Sequence, residues 1–436
     1  MSFLSNKNFI WSAIGRFLGI LSLVLINAHV ARELSIKDFA MYNFIMSLIP
    51  TFFTILTFGQ DTNSSKLLSA NNNPLNHYVN VIVLFFLSLL ICLLPAFLFF
   101  NDLMLLEKNL FVLILYIVIS SSVLRICSDL FRANDNFSSF ILFNSIRSSG
   151  GIIVWISFVI QIVYLYQKSL LTIESIFFSL AFSNFMALFL MFLFNYKIFF
   201  QIKSLIKFEN FSSSSFNKFF SSSLLIFLST FLVIVKSDFD FWIVSSLGRE
   251  SDLAFYAPVI KISALILVPL SVFESFLPRS ISKLYHGNSK IEFEKFIRSI
   301  NTLMFYSSFF VLIAIFSFSS EIIYILYGSN FLHLSLYLKL VVIAFLPKIL
   351  FGPCGQILLL TEYEKLNFKI NLFFLIITFI LGGILTSIYG FMGMLIVFSF
   401  SIIAINLVFY IAVLKCLKIN TLPFMNYNKI DFKFLK

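Results

Sequence analysis

A chain of 436 residues that is 60% hydrophobic and only 12% charged lacks the polar side chains to cover a water-facing surface. A soluble domain is close to half apolar and about a quarter charged, so the solvent around most of this chain is lipid. The net charge of +11 is scattered between apolar runs, which reads as a topology signal and excludes a nucleic-acid-binding basic domain.

In chain order, the first apolar run covers residues 9–30 and is longer than a signal-peptide core of about 7–15 residues. Only Lys7 precedes it and no small-x-small cleavage site follows, so it is predicted to be a retained span. Runs long enough to cross a bilayer, about 20 residues, follow near 38–60, 78–100, 109–127, 138–164 and 173–196. A second set lies near 218–247, 253–278, 297–320, 332–360, 367–388 and 391–414. The runs are continuous and lack the alternation of a membrane barrel, and a helix satisfies its own backbone in lipid. The predicted fold class is all-α integral membrane, with about 12 transmembrane helices.

Lysine and arginine test this layout independently, because hydropathy alone placed the spans. With the N-terminus inside, the inner segments hold twenty of the 31 Lys and Arg, and the outer segments hold five: Arg32, Lys37, Lys108, Lys168 and Arg249. Both termini are therefore predicted to be cytoplasmic.

The longest polar interruption, residues 197–218, contains Ser212 to Ser215 and divides the spans six and six. It predicts an N-terminal lobe over 1–198, a cytoplasmic central loop over 199–217 and a C-terminal lobe over 218–436 that ends in a short basic tail. An internal echo supports the division. Asp38-Phe39-Ala40-Met41-Tyr42 opens the second span, and Asp252-Leu253-Ala254-Phe255-Tyr256 opens the eighth. Even numbers of spans per half imply parallel repeats, with a substrate site between the lobes near the midplane.

Charges inside the spans are the candidate functional residues, because a charge at mid-bilayer costs about 2.5–3.5 kcal/mol on insertion scales. The basic ones are Arg16, Arg147, Lys236, Lys261, Lys339 and Lys348; the acidic ones are Asp238, Asp240 and Glu274. Lys339 lies near a span end, where a long stem snorkels. Arg147 is flanked by Ser145, Ser148, Ser149, Gly150 and Gly151, a small polar face of the kind that points inward. Lys236 and Asp240 stand i,i+4 on one helix face, while Asp238 points to another. The set carries more basic than acidic groups, which suits an anionic substrate such as a phosphate or pyrophosphate headgroup.

Helix breakers cluster with these charges. Pro258, Pro269 and Pro278 recur along the eighth span; Pro347, Gly352, Pro353 and Gly355 interrupt the tenth; Gly382 and Gly383 sit in the eleventh. They are expected to act as hinges. The four cysteines (Cys92, Cys127, Cys354, Cys416) and four histidines are scattered, with no metal-ligand spacing and no disulfide framework. No phosphate-cradling Gly-x-x-x-x-Gly-Lys-Ser/Thr loop and no Gly-x-Ser-x-Gly elbow is present. Asp238-Phe239-Asp240 spells a sugar-transferase metal pair, but it lies within an apolar span. An enzyme, a cofactor and a metal are not expected.

These residues resemble a family, the polysaccharide flippases of the multidrug/oligosaccharidyl-lipid/polysaccharide (MOP) superfamily, of the O-antigen (Wzx) type. The likeness runs from Ala31-Arg32-Glu33-Leu34, through Phe39 to Tyr42, to Phe58-Gly59. In the second half it includes Asp238 to Asp240, Leu247-Gly248, Ala254 to Pro258 and Leu277-Pro278-Arg279-Ser280-Ile281-Ser282 followed by Leu284-Tyr285. Tyr327-Gly328 and Tyr389-Gly390-Phe391-Met392-Gly393 complete it. The resemblance implies a MOP-type transporter with two six-helix lobes in a bacterial inner membrane. It would move an undecaprenyl-pyrophosphate-linked oligosaccharide to the outer leaflet by alternating access. Membrane lipids, a polysaccharide polymerase and chain-length machinery are the implied partners, with no nucleic acid. On this reading Arg16, Arg147, Lys236, Lys261 and Lys348 attract the pyrophosphate, and Asp238, Asp240 or Glu274 serves ion coupling or charge pairing.

Three alternatives stand beside it. A cation-coupled drug exporter of the same superfamily calls for an acidic pocket, against the basic excess. A peptidoglycan-precursor flippase commonly carries further spans. An oligosaccharide polymerase usually needs a large outer loop, which this sequence does not predict.

Overall fold

The computed structural model describes residues 7–61, 63–64, 79–90, 108–133, 142–143, 151–196, 213–274, 277, 281, 284–285 and 290–424. Among them the chain is helical and forms no strand. Among the described residues nine helices are long and apolar enough to cross a membrane: Ile36–Thr57, Asn109–Phe131, Ile173–Phe194, Ser213–Leu247, Asp252–Ser271, Lys290–Ser317, Ser329–Phe351, Glu364–Tyr389 and Phe391–Cys416. Two shorter apolar helices, Val79–Leu90 and Ile152–Gln167, and the first helix, Lys7–Glu33, fill the remaining places of the expected twelve. In chain order these are spans 1 to 12.

Span 6 shows why such a helix belongs in lipid. Thr172 and Ser175 form a reciprocal capping box at its start, which supplies partners for the first free N–H groups. Along its outer face Phe178, Phe182, Phe185, Phe189 and Phe192 are each 44–60% exposed, whereas Ser179, Ser183 and Asn184 are buried. The polar side chains point inward and the phenyl rings outward, the reverse of a helix in water.

The chain divides into two compact units, one made of Met1–Ala13, Ser35–Asn43 and Phe239–Lys436, the other of Ile14–Leu34 and Phe44–Asp238. The second is held by two apolar clusters. One joins Phe58 of span 2, Val81 and Leu84 of span 3, Ile126 and Leu130 of span 4 and Phe219 of span 7. The other joins Leu124 and Phe131 of span 4 to Phe143, Val154, Ala187 and Met191. Gly59 has φ +69°, and a Cβ there would lie 2.6 Å from the Ser223 carbonyl oxygen and 2.7 Å from the Phe227 nitrogen. That contact lets the Phe58 ring stack on Phe227 at 4.7 Å. Beside it Asn63 donates to Ser222 Oγ at 2.6 Å and Ser223 Oγ at 2.8 Å. Asn184 ties span 6 to Ser120 and Ser121 of span 4 at 3.0 and 2.9 Å. Small polar side chains are thus the cross-links between helices, as expected where lipid removes the hydrophobic drive for helix association.

In the first unit, proline and glycine break spans 8 and 10. Span 8 runs as α-helix from Asp252 to Ser263, tightens into a 3-10 turn over Ala264–Leu267 and resumes at Val268–Glu274. Pro269, which has no N–H to give, sits just after the tight turn. Span 10 is interrupted within the expected stretch 332–360, as its prolines and glycines suggest. It consists of a 3-10 segment Ser329–Leu334 and helices Ser335–Ala344, Leu346–Phe351 and Cys354–Leu359. Pro347 opens the third segment, and Gly352 with φ +71° followed by Pro353 separates the last two. Gly382 and Gly383 are the exception: span 11 passes through them unbroken. Gly382 instead provides close approach, since a Cβ would lie 2.9 Å from Met394 Sδ of span 12. Pro278 lies outside the described residues.

The two copies of the echo meet in this unit. The Phe39 and Phe255 rings both pack edge-on against Phe331, at 6.1 and 6.0 Å, and Tyr327 adds a third ring at 5.8 Å. The aspartates differ in role. Asp38 bonds Ser35 Oγ at 2.8 Å within the start of its own helix. Asp252 accepts from the Arg249 and Phe391 N–H groups at 3.0 and 3.2 Å, and so caps span 12 from 139 residues away.

Candidate functional site

Lys261 is on the first segment of span 8, three residues after Pro258 and one turn beyond Tyr256. Its ammonium donates to Asn43 Oδ1 at 2.5 Å and lies 5.5 Å from the centre of the Tyr42 ring. Tyr42 and Asn43 are themselves buried. Asn43 is held in place because its amide nitrogen donates back to the Phe39 carbonyl at 2.8 Å, leaving its oxygen for the lysine. Neither neighbour carries charge, and among the described residues no carboxylate lies within ion-pair distance of Lys261. An amide oxygen and a ring face orient the cation without neutralising it, so it keeps its attraction for an anion.

Asp240 of span 7 is buried and accepts the Tyr256 hydroxyl at 2.6 Å and the Phe241 N–H at 3.0 Å. This buried carboxylate is thus engaged by a phenol, which ties span 7 to span 8. Lys236 and Asp238 are half-buried on span 7. Lys348 is half-buried on the short helix Leu346–Phe351, next to the break in span 10. Arg16 lies on the helix Lys7–Glu33 and Glu274 ends the helix Val268–Glu274, but the side chains of both are outside the described residues, as is Arg147 entirely. The structure therefore brings Lys261 together with Asn43 and Asp240 with Tyr256, and shows no direct contact joining Lys261 to Lys348.

Sequence reasoning missed Asn43, an uncharged residue 218 positions from its lysine. It also missed a buried ionic cluster in the second unit. Arg125 Nε lies 3.0 Å from Asp61 Oδ2 and 2.9 Å from Asp129 Oδ2, with Asp129 fully buried. Arg125 is one of the twenty inner basic residues that the positive-inside count reads as topology signals. The i,i+4 spacing of Arg125 and Asp129 was the available clue.

Among solved structures, the chain is similar to an inward-facing multidrug resistance MATE family transporter of the MOP superfamily. Identity is 12% and the TM-score 0.68, covering 93% of this chain and 98% of that one. A MOP superfamily transporter from Pyrococcus furiosus, described as having a binding pocket of reverse polarity, matches at 12% identity and TM-score 0.66, with 94% and 96% covered. The lipid II flippase MurJ in an inward closed conformation matches at 16% identity and TM-score 0.66, with 93% and 87% covered. No curated protein matches in sequence. These likenesses establish the fold as that of a MOP transporter, a multi-pass membrane protein. The model of one family, described as polysaccharide biosynthesis protein, matches residues 5–282. This chain belongs to that polysaccharide biosynthesis family.

Proposed function

We propose that the protein is a flippase that carries an undecaprenyl-pyrophosphate-linked oligosaccharide from the cytoplasmic to the outer leaflet of a bacterial inner membrane, for O-antigen or capsule synthesis. Two six-helix lobes, residues 1–198 and 218–436, would alternate access to a cavity between them, with 199–217 as the cytoplasmic loop. The observation that carries this reading is Lys261, an ammonium within a spanning helix that has an amide oxygen and a ring for company and, among the described residues, no carboxylate. Such a group is costly to keep in lipid unless it meets an anion, and a pyrophosphate linker is the anion of a lipid-linked sugar. Membership of a polysaccharide biosynthesis family supports that substrate class. Arg16, Arg147, Lys236 and Lys348 would add positive charge along the route, and Asp238, Asp240 and Glu274 would serve coupling or pairing. The protein itself makes or breaks no covalent bond on this reading. The polymerase and chain-length machinery would act on its product.

The test is export in a host deleted for the gene and complemented with variants. A charge-assisted contact is worth about 1.5–3 kcal/mol, so Lys261→Ala should lower export roughly 10- to 100-fold, with lipid-linked repeat units stranded on the cytoplasmic face. Lys261→Arg should retain most of it. Wild-type export by Lys261→Ala and Arg147→Ala, both inserted normally, removes the assignment. Unchanged polysaccharide with altered drug sensitivity in the deletion strain would instead favour a drug exporter.

A further inference from the structure

The chain leaves span 12 at Cys416, turns at Lys418 in the left-handed region (φ +53°) and runs on without helix to Phe424. A short basic tail after a last span is expected to lie in water. This one is tucked in: Ile419 is 1% exposed and Thr421 fully buried.

Its polar contacts converge on the break in span 10. Gly352 and Pro353 interrupt the helix there, leaving the carbonyls of Leu350 and Phe351 without the usual helical donors. Asn301 of span 9 donates to the Leu350 carbonyl at 3.0 Å and to the Thr421 carbonyl at 2.6 Å. Thr421 Oγ1 donates to the Phe351 carbonyl at 2.8 Å and lies 3.4 Å from Cys354 Sγ, the first residue after the break. Further along, Arg298 Nε donates to the Leu422 carbonyl at 3.1 Å and its guanidinium stacks 4.2 Å over Phe424, whose N–H donates to Thr302 Oγ1 at 2.9 Å. The break is thus closed by a side chain from span 9 on one side and by the tail on the other. A cavity of about 310 Å³ lined by Tyr285, Lys290, Tyr363, Leu417 and Ile419 adjoins the root of the tail, which gives that root room to move.

We propose that residues 419–424 form a latch that holds the broken span 10 against span 9, so that bending at Gly352–Pro353 requires the tail to lift. Freed carbonyls in a spanning helix must find donors. Here the Leu350 carbonyl takes Asn301 of span 9, while the Phe351 carbonyl takes Cys354 Sγ at 3.2 Å and Thr421 Oγ1; the last belongs to a segment with no helical hydrogen bonds of its own, which can leave without unravelling any span. The latch sets how often span 10 bends, whatever substrate the protein carries.

Cys354 is 2% exposed beneath Thr421 and serves as the reporter. In the full-length protein in native membranes, Cys92, Cys127 and Cys416 are replaced by alanine and the rate of maleimide labelling of Cys354 is measured. Thr421→Val keeps the shape and removes the hydroxyl; it should accelerate labelling about tenfold, and removal of residues 419–436 should do so further. A control thiol at the fully buried position Val154, introduced as Val154→Cys in a separate background without Cys354, should stay unlabelled under the same substitutions. Labelling of Cys354 at the parent rate in both variants overturns the latch. Equal acceleration at Val154→Cys overturns it too, since the protein would then have loosened throughout.

Discussion

Arg125 offers the sharpest test of how this protein tolerates charge inside its helices. Its Nε bridges Asp61 and Asp129 at 3.0 and 2.9 Å, and the three side chains are 19%, 14% and 0% exposed. Replacing Arg125 with Met keeps most of the stem and removes the charge, leaving two carboxylates close together with the solvent largely excluded. Removing one partner of a buried ion pair costs about 3–5 kcal/mol, most of it the penalty for the charge left behind. The loss should therefore be relieved by discharging the carboxylates. Asp61→Asn and Asp129→Asn added to Arg125→Met should recover more than half of the stability, although each alone destabilises the parent. Equilibrium unfolding of the purified protein in mixed micelles, with helicity as the signal, gives the four corners of each double-mutant cycle. An Arg125→Met loss below about 1 kcal/mol, or no recovery on adding Asp129→Asn, refutes the reasoning and would mean that the cluster is wetter than its burial indicates.

Other outcomes follow from single contacts. Gly59→Ala should cost more than about 1 kcal/mol and reduce the yield of monodisperse protein, because a Cβ there meets the Ser223 backbone at a positive φ. Gly383→Ala, whose Cβ would touch only Leu247 at 3.7 Å, should be tolerated, and size-exclusion profiles of the pair decide it. Asp252→Ala uncaps span 12 and strips the Arg249 N–H of its acceptor; it should lower stability by about 1–2 kcal/mol in the same micelle assay, with Asp252→Asn recovering part. Tyr256→Phe removes the hydroxyl that Asp240 accepts at 2.6 Å and should cost about 1.5–3 kcal/mol, whereas Tyr164→Phe, on an exposed ring, should cost nothing measurable.

The spans were legible in the sequence because hydropathy is a property of long runs, which no distant contact can mask. Each of the twelve expected segments has a helix at its place. Where the reading slipped, the cause was tertiary. Gly382 looks like a breaker, yet its missing side chain serves the approach of Met394. The tail after span 12 looks like a solvated end, yet Thr421 is buried because Asn301 and the span 10 break need what it offers. The lysine chosen from cost alone, Lys261, does sit in an unusual environment, but the residues that define it come from the start of span 2 and carry no charge to betray them. The echo was visible as spelling only; that Phe39 and Phe255 share one partner ring could not be read from either copy.

The phenylalanine ladder on the outside of span 6 bears on how this chain relates to its structural neighbours. A ring that faces acyl tails has no fixed partner, so Phe, Leu and Ile can replace one another there at little free-energy cost. Nucleotide bias in a genome can then rewrite the outer face of a span, as with the five exposed phenylalanines of span 6, while the serines, asparagines and glycines of the interior keep the helices in register. At identities of 12% and 16% the fold is shared, with TM-scores of 0.68 and 0.66, although most side chains differ. Between proteins of this build, kinship is better sought among the small polar residues of the interior than in the apolar majority.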